Sequence, residues 1–190
     1  GFHDHWKIPH LNHPPFEDPE EGDQAWSDWA AGNGEDPTRL GFTEEEQNLF
    51  LALKPNQQEM FERYHMEYHL SPSFYSYGHH NIVGMHIDEA VYAGLYYGYG
   101  GDGEYADRKK MARSTEEHML EQAPDTVLAL CKAPADVIRK RMKDSPHQNG
   151  VLQEKDIDLV IGRFEEEYEL SLIKNKFAID TGTKSIDGSL

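Results

Sequence analysis

Two sets of side chains stand where they could act on an anionic substrate: acids at the ends of strand-like runs, and arginines gathered in one region. The run Asn81-Ile-Val-Gly-Met-His-Ile87 is apolar enough for a strand and ends in Asp88 and Glu89. Residues 1 to 8 alternate like a strand end running into a loop at Pro9, which puts Asp4 near such an edge. Open α/β sheets bind ligands at the carboxyl ends of their strands, so Asp4, Asp88 and Glu89 are the candidate catalytic acids. Nine of the 18 Lys and Arg residues lie between Arg108 and Lys143, in a chain of net charge −17. Such a concentration suits a bound polyanion, and Arg forks grip phosphate oxygens in pairs. Arg108, Arg139 and Arg141 are the candidate phosphate-binding residues. Helix surfaces solvated by charge would look the same. Arg139 and Arg141 are two apart, so a straight helix cannot aim both at one atom.

The eleven histidines offer a different chemistry. His3 and His5 form a His-x-His pair, with His10 and His13 close by, and His65 and His69 are four apart on a predicted helix. His86-x-Asp88 is the spacing that opens the facial triad of non-haem iron oxygenases, with His147 as a third ligand. That chemistry usually sits in an antiparallel jelly roll, and this chain is rich in helical periodicity. A partly buried, hydrogen-bonded histidine pair is the ordinary reading of the His65–His69 spacing.

These groups need elements to hold them. Thr43 with Glu46 makes a capping box for a helix to about Leu53, and Pro55 restarts a helix to about Leu70. Period places Met60, Phe61, Tyr64 and Tyr68 on its inner face. Ala90 to Tyr97 reads as a helix stopped by glycines, leaving a loop suited to a hinge or substrate gate. Ser114 with Glu117 predicts a helix to Gln122. Thr126-Val-Leu-Ala-Leu-Cys131 reads as a strand buried on both faces, with Cys131 as a small core residue. Pro134 suits the first turn of the helix that follows, and Asp136 the positive end of its dipole. After a break at Ser145 to Gly150, a helix runs from about Lys155 to Ile173, with Ile157, Val160, Ile161, Phe164, Tyr168 and Leu172 at three and four. Phe177-Ala-Ile179 is a last strand, ending at Asp180-Thr-Gly. Strand, helix, break, helix, strand is the grammar of a parallel α/β sheet.

The run "PDTVLALCKAPADVIRKRM", then "RFEEEYE", then "KFAIDTG", resembles the C-terminal half of P-loop nucleoside and nucleotide kinases, over about a third of the chain. In that family a strand ending in an Ala/Pro turn leads into a helix with Arg-x-Arg, a lid, a helix with an Arg and a Tyr, and a last strand ending in Asp. The resemblance implies a three-layer parallel sheet, ATP and Mg²⁺ as cofactors, and phosphoryl transfer to a nucleoside, nucleotide or similar hydroxyl. By that resemblance Asp4 would contact the acceptor hydroxyl or the metal. Asp88-Glu89 stands where the family has Asp-Arg, so Glu89 departs from its pattern. The Gly-Lys-Ser/Thr phosphate loop is absent from all 190 residues. The chain begins at Gly1 in strand-like sequence, which leads us to expect a fragment lacking the first, central strand and inactive by itself. A non-catalytic binding remnant of the kinase fold is the alternative, beside a metal enzyme built on His86 and Asp88.

The length fits one domain over 1–190, with an acidic, loop-rich insertion at about 11–42 holding Trp26 and Trp29. The acidic balance argues against nucleic acid or an anionic membrane, and small-molecule and nucleotide partners are what the kinase resemblance implies. One cysteine excludes a disulfide framework, and no apolar run reaches the ~20 residues that span a bilayer. The expected compartment is a reducing cytoplasm. The oligomeric state is left open.

Overall fold

The computed structural model describes residues 44–75, 82–146 and 150–183, which fall in two compact units, Gly1–Val83 and Gly84–Leu190. In the first, α1 (Glu44–Leu51), α2 (Pro55–His69) and the short α3 (Pro72–Tyr75) follow one another. Pro55 opens α2 as expected, at a position where a missing N–H costs no helical bond. Gln58 turns its Nε2 back to the Phe50 and Leu51 carbonyls at 3.3 and 3.1 Å, tying the start of α2 to the end of α1. The inner face of α2 differs from its apolar period. Gln58, Glu59, Glu62, Met66 and His69 are buried, while Met60 and Tyr64 are 67% and 69% exposed. Ion pairing and local hydrogen bonds make this burial tolerable: Arg63 donates to Glu59 at 2.6 Å, and His69 Nδ1 meets the His65 carbonyl at 2.8 Å.

The second unit carries helix α4 (His86–Tyr92), which continues as a π-helical turn, Ala93–Tyr97, and stops at Gly98. Helix α5 (Arg108–Gln122) follows, then strand β1 (Val127–Lys132), helix α6 (Ala135–Asp144), a 3₁₀ turn (Glu154–Asp156), helix α7 (Ile157–Leu170) and strand β2 (Asn175–Asp180). β1 and β2 pair in parallel, in register from Val127 opposite Asn175 to Lys132 opposite Asp180. The class is therefore mixed helix and strand with a two-stranded parallel sheet among the described residues. The core lies where α4 packs against α5 and α7, at Val91, Ala93, Ala112, Met119, Ile157, Val160 and Ile173.

Three expectations need correction. The run 81–87 is not a strand: residues 82–83 are irregular, Gly84 and Met85 take positive φ of 79° and 48°, and His86 already begins α4. Two consecutive left-handed residues break any extended run, and Asp88 and Glu89 in the first turn favour the positive end of a helix dipole. Helix α5 starts six residues before Ser114, because Asp107 caps it by accepting from the Lys109 and Lys110 amides. Cys131 is exposed, not a core residue, and no residue of β1 is fully buried. No described helix is long and apolar enough to cross a membrane.

Candidate functional site

The β1–α6–α7–β2 crossover brings two chain exits side by side, since Lys132 and Asp180 end their strands opposite each other. Thr181 continues the ladder by donating its N–H to the Lys132 carbonyl at 2.8 Å. Asp180 folds the turn beyond it, accepting from the Gly182 amide at 2.8 Å and the Thr183 hydroxyl at 2.7 Å. Arg141, from the second half of α6, reaches this turn. Its Nη1 donates to Thr181 Oγ1 at 3.2 Å and its Nη2 to the Thr181 carbonyl. Arg139 points elsewhere and pairs with Asp158 at the start of α7, at 2.6 Å on the surface. Two arginines two residues apart thus take different partners, as helical geometry requires.

No protein-family model, curated protein or solved structure matches this chain. The resemblance to P-loop kinases therefore rests on the quoted residues alone.

The other candidate residues have partners of their own. Arg108 is only 1% exposed, and its Nε donates to Glu89 Oε2 at 2.9 Å. Its guanidinium lies 5.1 Å from the Tyr99 ring centroid, and Tyr99 donates its hydroxyl to the same Glu89 carboxylate at 3.0 Å. Burial pushes the Glu89 carboxyl up, against the opposing pull of Arg108 and Tyr99. This pair joins α4 to the first residue of α5. Glu89 and Arg108 thus face each other in the interior instead of a ligand. Asp88 is half-buried beside them in the first turn of α4, its carboxylate folded back over Gly84. Asp4 lies outside the described residues, so the predicted grouping of Asp4, Asp88 and Glu89 reduces to two neighbours on α4.

The histidine spacings meet specific partners. His86 lies 3.2 Å from Glu116 through Nε2, and His147, His3, His5, His10 and His13 fall outside the described residues. Among the described residues no group of three or more His, Cys, Asp or Glu side chains is arranged to hold a metal ion.

One cluster has no counterpart in the sequence reading. Glu116 is fully buried and accepts from His86 and from the Leu172 amide, while Arg113 bridges it to Glu167. Burial pushes Glu116 up, but the donors from His86, Leu172 and Ser171 outweigh it and hold the carboxyl below its usual value. Burial also pushes Glu167 up, with Arg113 pulling the other way. The only local signal was Arg113 three residues before Glu116, a helical pair. Nothing in the sequence joins residues 86, 116 and 172.

Proposed function

We propose that this chain is the C-terminal part of an ATP-dependent small-molecule kinase of the P-loop type, transferring a phosphoryl group to a nucleoside, nucleotide or similar hydroxyl. The observation that carries this reading is the parallel β1–β2 crossover with Arg141 laid over the turn after β2, at the carboxyl ends of both strands. Ligands of open α/β sheets bind at that edge. Phosphoryl transfer asks mainly for positioning and neutralised charge, which Arg139 and Arg141 supply.

Arg139 is exchangeable in this role. A surface ion pair such as Arg139–Asp158 is worth about 0–1 kcal/mol, whereas a charge-assisted contact to phosphate is worth about 1.5–3 kcal/mol, so phosphate displaces Asp158. Arg141 would keep its bond to the Thr181 carbonyl and fix the turn beneath the nucleotide. Mg²⁺ in such sites is held by one or two carboxylates together with the phosphates, and Asp88 is the described carboxylate assigned to it. Glu89 and Arg108 take a supporting role, since each neutralises the other inside the fold. The three-layer sheet belongs to this same proposal.

ATP titration of the complete protein by calorimetry tests it. Arg139→Glu should weaken binding about tenfold or more, from the contact energy above, and Arg141→Glu should weaken it by releasing the Thr181 turn. Equal affinity in wild type and both variants would overturn the reading. A non-catalytic binding remnant is favoured by one observation: both arginines already have internal partners. It predicts ATP binding without turnover.

A further inference from the structure

The most elaborated polar cluster of the second unit is not used by the phosphoryl-transfer reading. Glu116 occupies the middle of α5, and each of its oxygens is taken by a different part of the chain. Oε1 lies 3.2 Å from His86 Nε2, at the first residue of α4. Oε2 accepts from the Leu172 amide at 2.8 Å, in the turn between α7 and β2, and lies 3.4 Å from Arg113 Nε. Arg113 in turn donates through Nη2 to Glu167 on α7 at 3.0 Å. One buried carboxylate thus holds together α4, α5 and the entry to β2, segments 30 and 56 residues away in sequence.

What each segment carries makes the link informative. His86 stands two residues before Asp88, so the carboxylate grips the same helical turn that holds the candidate acid. Leu172 stands three residues before β2, whose far end leads into the Asp180–Thr181 turn under Arg141. A strand of six paired residues transmits its placement along its length with little give. Moving Glu116 would therefore move Asp88 relative to that edge.

We infer that Glu116 is a positioning residue, which sets the first turn of α4, with Asp88, in register with the turn that enters β2. Its bearing on catalysis rests on the phosphoryl-transfer reading; the mechanical link does not. Both are tested in the complete protein with Glu116→Ala, Glu116→Gln and the control Glu166→Gln, an exposed acid paired with Lys109.

Hydrogen exchange reads the link. In Glu116→Ala, amides of 86–92 and of 171–175 should exchange faster together, by about tenfold, while those of α6 keep the wild-type rate. Glu116→Gln should restore most of the protection, because an amide oxygen still accepts from Leu172. Faster exchange in one segment alone, or equally throughout the second unit, would overturn the inference. If the alanine variant does not fold, the same comparison is made between Glu116→Gln and wild type, with smaller, still paired changes expected.

Steady-state turnover with ATP reads the consequence. The Ala variant should lose kcat about tenfold with KM for ATP unchanged and the Gln variant should recover most of it, whereas partial unfolding would lower the active fraction and leave the pH profile of the remainder as in wild type. Paired exchange without turnover in wild type would overturn the kinase reading and uphold the link. Turnover with no paired exchange would do the reverse.

Discussion

Gly84 shows how one residue type can be required by a neighbour. It has φ of 79°, and a Cβ built there would lie 2.1 Å from Asp88 Oδ2. Gly84→Ala meets both a disfavoured backbone region and the carboxylate, so it should destabilise the fold by about 1–3 kcal/mol and displace Asp88. Urea denaturation of the two proteins checks this, and an unchanged midpoint would remove Asp88 from its described place. Arg108 presents the opposite kind of dependence. Arg108→Ala would leave the buried Glu89 carboxylate without its counter-charge, with the Tyr99 hydroxyl as its remaining donor, at about 3–5 kcal/mol, and the same titration reads the loss. Glu116 supplies a pH test. Its folded-state pKa is lowered, so its contribution is present above the usual carboxylate value and is lost as pH falls through the folded value. The stability advantage of wild type over Glu116→Gln should therefore shrink as pH is taken from about 7 to about 4. A constant gap would mean that the donors do not favour the ionised form.

At the scale of elements, legibility followed how local the deciding interactions are. β1, α6, α7 and β2 were readable because each is bounded by its own breakers: Pro124 and Pro134 around β1, the Pro/Asn/Gly break before α7. Their parallel pairing followed from the strand–helix–helix–strand order. The run 81–87 was not readable as a helix start, since its apolar residues fit a strand and only the backbone at Gly84 and Met85 decides against it. Helix α2 misled in another way. Its aromatic and Met residues carry the apolar period, but the buried face is held by Gln58 and the Glu59–Arg63 pair. In α5, a capping box at Ser114 was outweighed by Asp107, which accepts from the amides of Gly103, Lys109 and Lys110. Asp107→Ala removes that cap and should cost about 0.5–2 kcal/mol, read as a lower urea midpoint with unchanged slope. A larger loss than Ser114→Ala is the decisive comparison. Of the candidate site, the divergence of Arg139 and Arg141 to different partners was legible from their spacing, while the burial of Arg108 and the Glu116 cluster depended on contacts far apart in sequence.

The second unit carries a sheet that is unusual for its composition. Parallel strands are normally covered on both faces and read as continuous apolar runs, which β1 does. Yet Val127 is 55% exposed and Phe177, on β2, is 49% exposed. Among the described residues the sheet has two strands and therefore two edges with open N–H and C=O groups. Apolar side chains beside unpaired edges form a template for pairing with another chain, and small two-stranded sheets rarely hold on their own. The expected behaviour of residues 1–190 in isolation is concentration-dependent association, with dye binding to exposed apolar surface and a shallow unfolding transition. Val127→Lys should reduce association without weakening the β1–β2 register, since an exposed charged side chain on an edge opposes strand addition. Light scattering and thermal unfolding over a range of concentrations check both statements. A monomer with a sharp, concentration-independent transition would show that these strands are already covered, and would remove the physical case for a further strand beside β1. If association is found and the Lys variant abolishes it, the open edge of this sheet is the surface through which the chains pair.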